Sequence, residues 1–284
     1  MAKLTAKELQ DLKGKRKITM SGALDYFTAK AMEISGIDII ATGAPDVETI
    51  IKGYEDGNKG TLEEALLAIE GVRRGAPNTF LMVSPPYGST FISYEETLRT
   101  VTELIKAGAD ATMIQGTGIR VDKIKKITQE GIPCAGHIGL TPWYVSSLGG
   151  FRSIGKKAEE AIRLYEDALK LQEAGALYIE LECIPYRVAA EITKRIKIPT
   201  IGIGSGPFCD GQVQVCIDLL GMHDGHYPKH SKKYLNIFAD KISAFKKFKE
   251  EVDNNIFPEP ENSFEIEERE FESFLEKIDK LEGK

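Results

Sequence analysis

The sequence lacks the features that mark several large classes of protein. Its 284 residues include only four cysteines, with no CxxC pair among them, so a zinc ribbon or a thioredoxin-like site has no support. No run of about 18 apolar residues occurs, and we expect no membrane-spanning helix. The segment Met1 to Lys17 is charged and polar, without the apolar stretch of a signal peptide. Four unpatterned cysteines indicate reduced thiols, so we expect a cytoplasmic protein.

An excess of positive charge is also missing. The 37 Lys and Arg residues are outnumbered by 43 Asp and Glu residues, which gives a net charge of −6. We therefore expect neither a uniformly basic surface nor a nucleic-acid or membrane partner. The hydrophobic content of 42% is sufficient for a substantial core and argues against disorder. The length suits one large barrel or two small domains.

Short apolar runs alternate with amphipathic segments along most of the chain. Strands are predicted at Ile18–Ser21, Ile37–Thr42, Thr79–Val83, Ala111–Gln115, Ile132–His137, Ala176–Glu182 and Pro199–Ile203. Helices are predicted at Tyr26–Ser35, Gly60–Arg74, Tyr94–Ala107, Val121–Gln129, Lys156–Glu173 and Val188–Arg195. An eighth strand is expected around Val213–Leu219, where the pattern fits a helix equally well.

Parallel strands that follow one another need helical crossovers, which predicts an α/β architecture. The length and the continuous repeat favour a (β/α)8 TIM barrel over a doubly wound sheet. Beyond Pro228 the composition changes, and His230–Val252 is typical of a helix. We predict a barrel over residues 1–260 and a charged amphipathic helix over residues 261–284. That helix packs on its own barrel or forms an oligomer contact.

Catalytic groups of such a barrel gather where strands end and βα loops begin. Glu182 ends the sixth strand, and strand alternation points it the same way as Glu180. A carboxylate with apolar neighbours can have a raised pKa and act as a general base, which we prefer to a surface salt bridge. His137 ends the fifth strand and either contacts a ligand or only ties down its loop.

Other strand ends offer weaker signals. Asp25 and Asp46 follow the first two strands at positions typical of helix caps or loops rather than ligands. The glycine-rich stretch Gly202–Gly206 either brings backbone N–H groups to an anion or forms a tight turn.

Several segments, in this order, resemble one known family. They are Lys17-Ile18-Thr19-Met20, Asp25-Tyr26, Val72-Arg73-Arg74-Gly75-Ala76-Pro77, Gly136-His137-Ile138-Gly139-Leu140-Thr141-Pro142, Leu148-Gly149-Gly150-Phe151, Leu181-Glu182-Cys183-Ile184-Pro185, Ile198-Pro199-Thr200-Ile201-Gly202-Ile203-Gly204, Cys209-Asp210-Gly211-Gln212, Pro228-Lys229 and Asn262-Ser263-Phe264. Together they resemble ketopantoate hydroxymethyltransferase (3-methyl-2-oxobutanoate hydroxymethyltransferase) over roughly residues 15 to 264. The resemblance implies a (β/α)8 barrel, a homo-oligomer and a place in pantothenate biosynthesis.

The resemblance also implies a reaction. The family transfers a hydroxymethyl group from methylenetetrahydrofolate to 3-methyl-2-oxobutanoate. A magnesium ion holds the 2-oxo acid, a glutamate removes the proton next to the keto group, and the enolate attacks the one-carbon unit. By resemblance Glu182 falls on that glutamate and His137 on the family's strand-end histidine.

The family's metal-binding positions are changed in this sequence. Gly43-Ala44-Pro45 stands where the family has Gly-Asp-Ser, so the metal aspartate becomes Ala44. The next two acidic ligands become Ser84 and Gln115, and the substrate-binding lysine becomes Met113. Since magnesium prefers anionic oxygen ligands, we expect no metal site. The predicted substrate pocket is lined by Ala44, Pro45, Ser84, Met113, Gln115 and His137, with Glu182 as the catalytic residue.

Two hypotheses remain. The preferred one is an enzyme that performs aldol-type one-carbon transfer, or related chemistry, on a 2-oxo acid without magnesium. Methylenetetrahydrofolate is its expected co-substrate, and Arg120, Arg152 or Lys156 could replace the lost positive charge. The alternative is a non-catalytic paralogue that binds a ligand or assembles with an active relative. A lyase of the phosphoenolpyruvate mutase and isocitrate lyase group fits less well, because its Lys-Lys-Cys-Gly-His loop is absent.

Overall fold

Eight parallel strands close into a barrel in the computed structural model, which describes residues 3–54 and 57–283. The strands are β1 (Ile18–Gly22), β2 (Ile39–Gly43), β3 (Phe80–Ser84), β4 (Ala111–Gln115), β5 (Cys134–Gly139), β6 (Ile179–Glu182), β7 (Thr200–Ile203) and β8 (Gly211–Gln214). Each strand pairs with the next, and β8 pairs with β1. The predicted (β/α)8 TIM barrel is therefore confirmed.

One helix precedes the first strand, and helices follow most of the strands. In chain order the α-helices of the described residues are α1 (Ala6–Gln10), α2 (Tyr26–Ser35), α3 (Ala44–Asp46), α4 (Leu62–Gly75), α5 (Tyr94–Lys106), α6 (Ile119–Gln129), α7 (Ala158–Glu173), α8 (Tyr186–Arg195), α9 (Cys216–Leu220), α10 (Ile237–Asp253) and α11 (Glu268–Glu282). Helix α3 continues as a short π-helix, Val47–Ile51. The six predicted crossover helices are all present, and their ends differ from the prediction by no more than two residues.

The eighth strand lies earlier than predicted. It ends at Gln214, and α9 begins at Cys216, so the stretch Val213–Leu219 holds the end of a strand and most of a helix. The register with β1 sets this position, because Gly211 lies opposite Ile18. A Cβ at Gly211 would come within 2.6 Å of the Ile18 carbonyl oxygen, so only glycine permits this approach.

The barrel interior is filled by alternate side chains of its strands. Residues from the strand starts, such as Phe80 and Tyr178, form one buried cluster with Leu9 of α1. Helix α1 begins with a capping box in which Thr5 and Glu8 each accept a hydrogen bond from the other's backbone N–H. The N-terminal helix thus packs against the end of the barrel where the strands begin, opposite the mouth where catalytic groups are expected.

The chain divides into two compact units. The first extends through Leu220 and includes Gly225–Tyr234, and the second comprises Gly221–Asp224 and the chain from Leu235 onward. The sequence places the boundary at residue 260, whereas helix α10 belongs to the second unit. In that unit α11 occupies part of the amphipathic helix predicted over residues 261–284, and Lys284 lies outside the described residues.

Two expectations from composition can be compared with the structure. Cys134, Cys183, Cys209 and Cys216 are all free thiols. Within residues 3–54 and 57–283, no helix is both long enough and apolar enough to span a membrane.

The close approach of β5 and β6 at their C-terminal ends predicts a strong effect of one methyl group. Gly139 has φ +98°, and a Cβ there would lie 2.2 Å from the carbonyl oxygen of Glu182. We expect Gly139→Ala to lower the free energy of unfolding by about 3 kcal/mol, through the left-handed backbone and the clash together. Urea denaturation measures the difference.

Gly149→Ala is the matched control, because Gly149 also has positive φ (+75°) but no atom within 4 Å of its added Cβ. It is expected to cost about 1 kcal/mol, the backbone contribution alone. Equal costs for the two variants would contradict the close approach.

Candidate active site

Strands β4, β5 and β6 bring four of the predicted side chains to the barrel interior. In the strand register Gln115 lies opposite His137, and Gly139 lies opposite Glu182. Met113 belongs to the buried interior cluster, and strand alternation places Gln115 on the same face. Met113, Gln115, His137 and Glu182 therefore share one side of the barrel mouth.

Glu182 and His137 form a close pair. The Oε2 atom of Glu182 lies 3.0 Å from Nε2 of His137, and the two side chains are 13% and 4% exposed. Burial disfavours the imidazolium, but the adjacent Glu182 and the nearby Glu180 favour it more, and the pKa of His137 is raised overall. The arrangement thus places the carboxyl group of Glu182 beside an imidazole whose protonated form is favoured, in a largely buried site.

The backbone that carries Glu182 is held in an unusual conformation. Cys183, the next residue, has φ +51°, which non-glycine residues rarely adopt. The Ser205 hydroxyl donates to the Leu181 carbonyl and accepts from the Ile184 N–H, so it links both sides of Glu182 to the loop after β7. A strained residue fixed by surrounding hydrogen bonds is typical of functional sites.

Glu180 lies one layer deeper and is 7% exposed. Burial is the main cause that raises the pKa of its carboxyl to about 7. The charge of His137 opposes this shift, and Glu182 and Asp46 add to it. The Oε1 atom of Glu180 is buried without a hydrogen-bond partner among the described residues. Strand alternation in the sequence predicts that the Glu180 side chain points to the same face as Glu182, but the sequence gives no reason to assign Glu180 a role.

Asp46 contributes to the same acidic interior. Burial raises the pKa of its carboxyl to about 6. The carboxylate extends toward β1, with Oδ1 3.9 Å from the position that a Cβ on Gly22 would occupy. Asp46 is the last residue of α3 and stands at the N-cap position of the π-helix that follows, but its side chain forms no capping hydrogen bond there. Asp25 does cap a helix: its carboxylate accepts from the Thr28 N–H at the start of α2.

Three other predicted pocket residues are placed differently. The side chain of Ala44 lies in the apolar layer with Ala65 and Ile69, and not among the interior side chains of the barrel. The Cβ of Pro45 lies 2.7 Å from the position of a Cβ on Gly57, so the proline packs toward the following loop. Ser84 ends β3 on the interior face by strand alternation, beside Gly43.

The donors at the strand ends do not fit magnesium. Ala44 offers a methyl group, and Ser84 and Gln115 offer neutral oxygens, where the ion prefers carboxylates. In the part of the chain that the structure describes, no three His, Cys, Asp or Glu side chains are grouped as a metal site requires. The carboxyl groups that remain on the interior are those of Glu180, Glu182 and Asp46. Carboxyl groups in such surroundings are suited to proton transfer.

The loops after β3, β4 and β5 bring aromatic rings and one arginine together. The Arg120 guanidinium carbon lies 4.6 Å from the centre of the Phe91 ring and 4.9 Å from that of Tyr144. Arg120 and Tyr144 line a cavity of about 400 Å³ beside the ends of β4 and β5. Arg152 and Lys156, the other two cations considered from the sequence, are exposed.

The glycine-rich stretch after β7 forms a tight turn against other side chains. Cβ atoms at Gly204 and Gly206 would lie 3.0 Å from the His230 ring and 2.4 Å from the Cβ of Tyr186. Both glycines have positive φ. Of the two roles that the sequence suggests for this stretch, an anion site or a tight turn, their geometry is that of a turn.

The buried Glu180 predicts a pH-dependent stability. Burial raises the pKa of its carboxyl from the ordinary 4.5 to about 7. Below pH 4.5 the group is protonated in both the folded and the unfolded state, so its titration does not change the free energy of unfolding. Between pH 4.5 and about 7 the unfolded state ionises first, and the free energy of unfolding falls. The isosteric Glu180→Gln removes that cost, and we expect it to stabilise the fold by about 3 kcal/mol at pH 8 and much less at pH 5. Urea denaturation at both pH values measures this, with the exposed Glu173→Gln as control. A gain that is the same at both pH values would contradict a neutral buried Glu180.

Solved structures with similar folds are distant in sequence. Phosphonopyruvate hydrolase, crystallised in complex with oxalate and Mg²⁺, aligns with a TM-score of 0.57 at 14% identity, covering 99% of each chain. A 2,3-dimethylmalate lyase of the PEP mutase/isocitrate lyase superfamily aligns with a TM-score of 0.56, also at 14% identity, covering 93% of this chain and 89% of its own. At this identity the likeness supports the fold alone.

Sequence similarity is much higher to one group of enzymes. The family model for ketopantoate hydroxymethyltransferase matches residues 3–260. The 3-methyl-2-oxobutanoate hydroxymethyltransferase of Kosmotoga olearia is 42% identical over 262 residues, covering 92% of this chain and 98% of the relative. That of Staphylothermus marinus is 40% identical over 272 residues, covering 96% and 100%. The chain therefore belongs to the ketopantoate hydroxymethyltransferase family.

Proposed function

We propose that this chain transfers a hydroxymethyl group to 3-methyl-2-oxobutanoate, or to a closely related 2-oxo acid, without a magnesium ion. The observation that carries the proposal is the Glu182–His137 pair, with 3.0 Å between Oε2 and Nε2, on the interior of the barrel at its mouth. A largely buried carboxylate beside an imidazole is suited to remove a proton from carbon. The relatives' names supply the substrate class.

Glu182 is assigned as the general base. It takes the proton from the carbon next to the keto group, and the electron pair of that C–H bond becomes the enolate. The negative charge passes from Glu182 to the enolate, and the site's net charge is unchanged. Charge movement within a dry site avoids the solvent reorganisation that the same step requires in water.

His137 is assigned to hold and balance that charge. Its raised pKa keeps the imidazole protonated to higher pH than usual, so a positive group lies beside Glu182 before the transfer and near the enolate afterwards. This charge provides part of the stabilisation that a divalent ion supplies in metal-assisted enolisation. Met113, Gln115 and Ser84 are assigned to the substrate pocket on the interior face, whereas Ala44 and Pro45, which pack outside the interior, are not.

Methylenetetrahydrofolate is the proposed one-carbon donor. Water releases the donor's methylene carbon as formaldehyde: both carbon–nitrogen bonds break, and the two protons of the water go to the two nitrogens. The enolate carbon then bonds to the formaldehyde carbon, and the alkoxide that forms takes the proton held by Glu182, which returns to the carboxylate. These assignments follow from the family's reaction and the residues present.

A non-catalytic role is the second candidate. The replacement of three acidic positions and one lysine by Ala44, Ser84, Gln115 and Met113 favours it, because each change removes a charge used in the family's reaction. The retained Glu182–His137 pair and the raised pKa of Glu180 favour catalysis, because acid–base groups with shifted pKa values cluster at active sites.

The proposal extends to the protein's setting. Four free thiols suit a reducing compartment, so we place the enzyme in the cytoplasm. We assign the amphipathic helix α11 to contacts in a homo-oligomer, because aromatic and aliphatic side chains recur along one face of it. The proposed catalysis by Glu182 and His137 depends neither on the compartment nor on the oligomer.

Replacing the general base predicts a loss of turnover with little loss of binding. We expect Glu182→Gln to lower kcat about 1,000-fold, because the amide cannot accept the proton, and to change KM by less than about threefold. The measurement is ketopantoate formation from 3-methyl-2-oxobutanoate and methylenetetrahydrofolate. Glu191→Gln, an exposed carboxylate of α8, is the control, and a Glu182→Gln enzyme with the wild-type kcat would rule out the assignment.

The altered donor set predicts independence from magnesium. After dialysis against EDTA, we expect added Mg²⁺ to change kcat/KM by less than about twofold, since the described residues contain no group of three His, Cys, Asp or Glu side chains that could hold the ion. A rise of about tenfold or more on adding Mg²⁺ would show that the ion is bound and used. Absence of turnover under both conditions would favour the non-catalytic candidate.

A further inference from the structure

Arg120 is fixed above the strand ends by two aromatic rings. Its guanidinium lies 4.6 Å from the ring centre of Phe91 and 4.9 Å from that of Tyr144, and these two rings are stacked 6.4 Å apart. Phe91 belongs to the loop after β3 and Tyr144 to the loop after β5, whereas Arg120 lies near the start of α6, after β4. Three successive βα loops therefore hold one cation in a defined orientation.

The same region contains buried polar atoms without partners. Among the described residues, Arg120 Nε, Tyr144 Oη, Trp143 Nε1 and Gln115 Oε1 are buried and form no hydrogen bond. Three of these four atoms belong to donor groups. Leaving a buried donor unpaired costs free energy, so a cluster of them indicates a ligand that accepts hydrogen bonds.

The acidic residues of the cavity already have partners. Glu160 accepts a hydrogen bond from the Gly155 N–H and pairs with Arg152. Asp167 accepts from the Thr117 hydroxyl and pairs with Lys170. Arg120 forms no ion pair with a carboxylate of the described residues. Arg120 is the half-buried cation of the cavity wall, whereas Arg163, which also lines the cavity, is exposed.

The cavity reaches the ends of two strands, one of which carries a member of the proposed catalytic pair, although neither His137 nor Glu182 lines it. Its wall includes Gly116, which directly follows Gln115 at the end of β4, and Gly139 at the end of β5. Gly139 lies opposite Glu182 in the strand register, and the backbone of Glu182 accepts a hydrogen bond from Leu140. Arg120 follows β4 and the base ends β6, so β5 is the strand that lies between them.

We infer that Arg120, with the Tyr144 hydroxyl, binds the carboxylate of the 2-oxo acid in place of a metal ion. This inference rests on the proposed function for its substrate class. The planar guanidinium offers two parallel N–H groups that match a carboxylate, and the aromatic rings on it fix its plane. Gln115 directly precedes Gly116 of the cavity wall, and its buried Oε1 has no hydrogen-bond partner among the described residues.

Isothermal titration of the full-length protein with 3-methyl-2-oxobutanoate tests the inference directly, without turnover. We expect Arg120→Met to weaken binding about 100-fold, because it removes a charge-assisted bidentate contact. Arg120→Lys, which keeps the charge but not the paired N–H groups, is expected to lose about tenfold. Arg195→Met removes an exposed cation on α8 and is expected to bind like wild type. Thermal unfolding of each variant shows whether it is folded.

A neutral probe separates carboxylate recognition from general damage to the pocket. The ketone 3-methyl-2-butanone carries a methyl group where the acid has its carboxylate, and its weak binding should be the same in wild type and Arg120→Met. Tyr144→Phe, which keeps the ring, is expected to weaken acid binding about tenfold through loss of the hydroxyl.

The outcomes distinguish this inference from the proposed function. Acid binding that depends on Arg120 in a protein without turnover supports the carboxylate site and removes the catalytic proposal. Turnover with equal acid binding by wild type and folded Arg120→Met overturns the carboxylate site and leaves the catalytic proposal standing. Failure of wild type to bind the acid overturns both.

Discussion

A short contact between two neighbouring strands determines the geometry of the candidate site. Strands β5 and β6 approach so closely at their C-terminal ends that Gly139 has no room for a side chain beside the Glu182 carbonyl oxygen. This approach aligns His137 and Glu182 across the barrel mouth and brings their side-chain atoms within 3.0 Å. The hydroxyl of Ser205 then fixes the backbone on both sides of Glu182. The positions of His137 and Glu182 therefore depend on these backbone contacts as well as on the attraction between their side chains.

The acidic positions and the lysine at the strand ends are replaced together, and the loss of the lysine follows from the loss of the carboxylates. A lysine retained beside Gln115 and Ser84 would be a buried cation without its former carboxylate partners, which is costly in a dry interior. Met113 avoids that cost and packs in the interior cluster. In the proposed function, positive charge comes instead from His137, whose pKa is raised, and from Arg120 near the start of α6. The proposed site therefore takes its cations from these two residues, while Glu182 serves as the base.

Most of the fold was predictable because its signals are local. Apolar runs and helical spacing located seven strands and six crossover helices, since burial imposes a regular period on each element. The eighth strand was placed too late, because Val213–Leu219 contains apolar residues at spacings that suit both structures. Helix α1 was not predicted, although Thr5 and Glu8 carry the spacing of a capping box that could have revealed it. The π-helix after β2 has no comparable local signal.

The candidate site was predictable only in part. Strand ends and family resemblance pointed to Glu182 and His137, and alternation gave the direction of Glu180. The buried state of Asp46 and the position of Arg120 depend on contacts between loops far apart in sequence, which no periodicity encodes. The stacking of Arg120 on Phe91 and Tyr144 has an energetic consequence. Because Phe91 and Tyr144 both contact Arg120, movement of either loop away from the others breaks a cation–π contact worth about 0.5–1 kcal/mol. The opening of one loop is therefore energetically coupled to the others through a single cation.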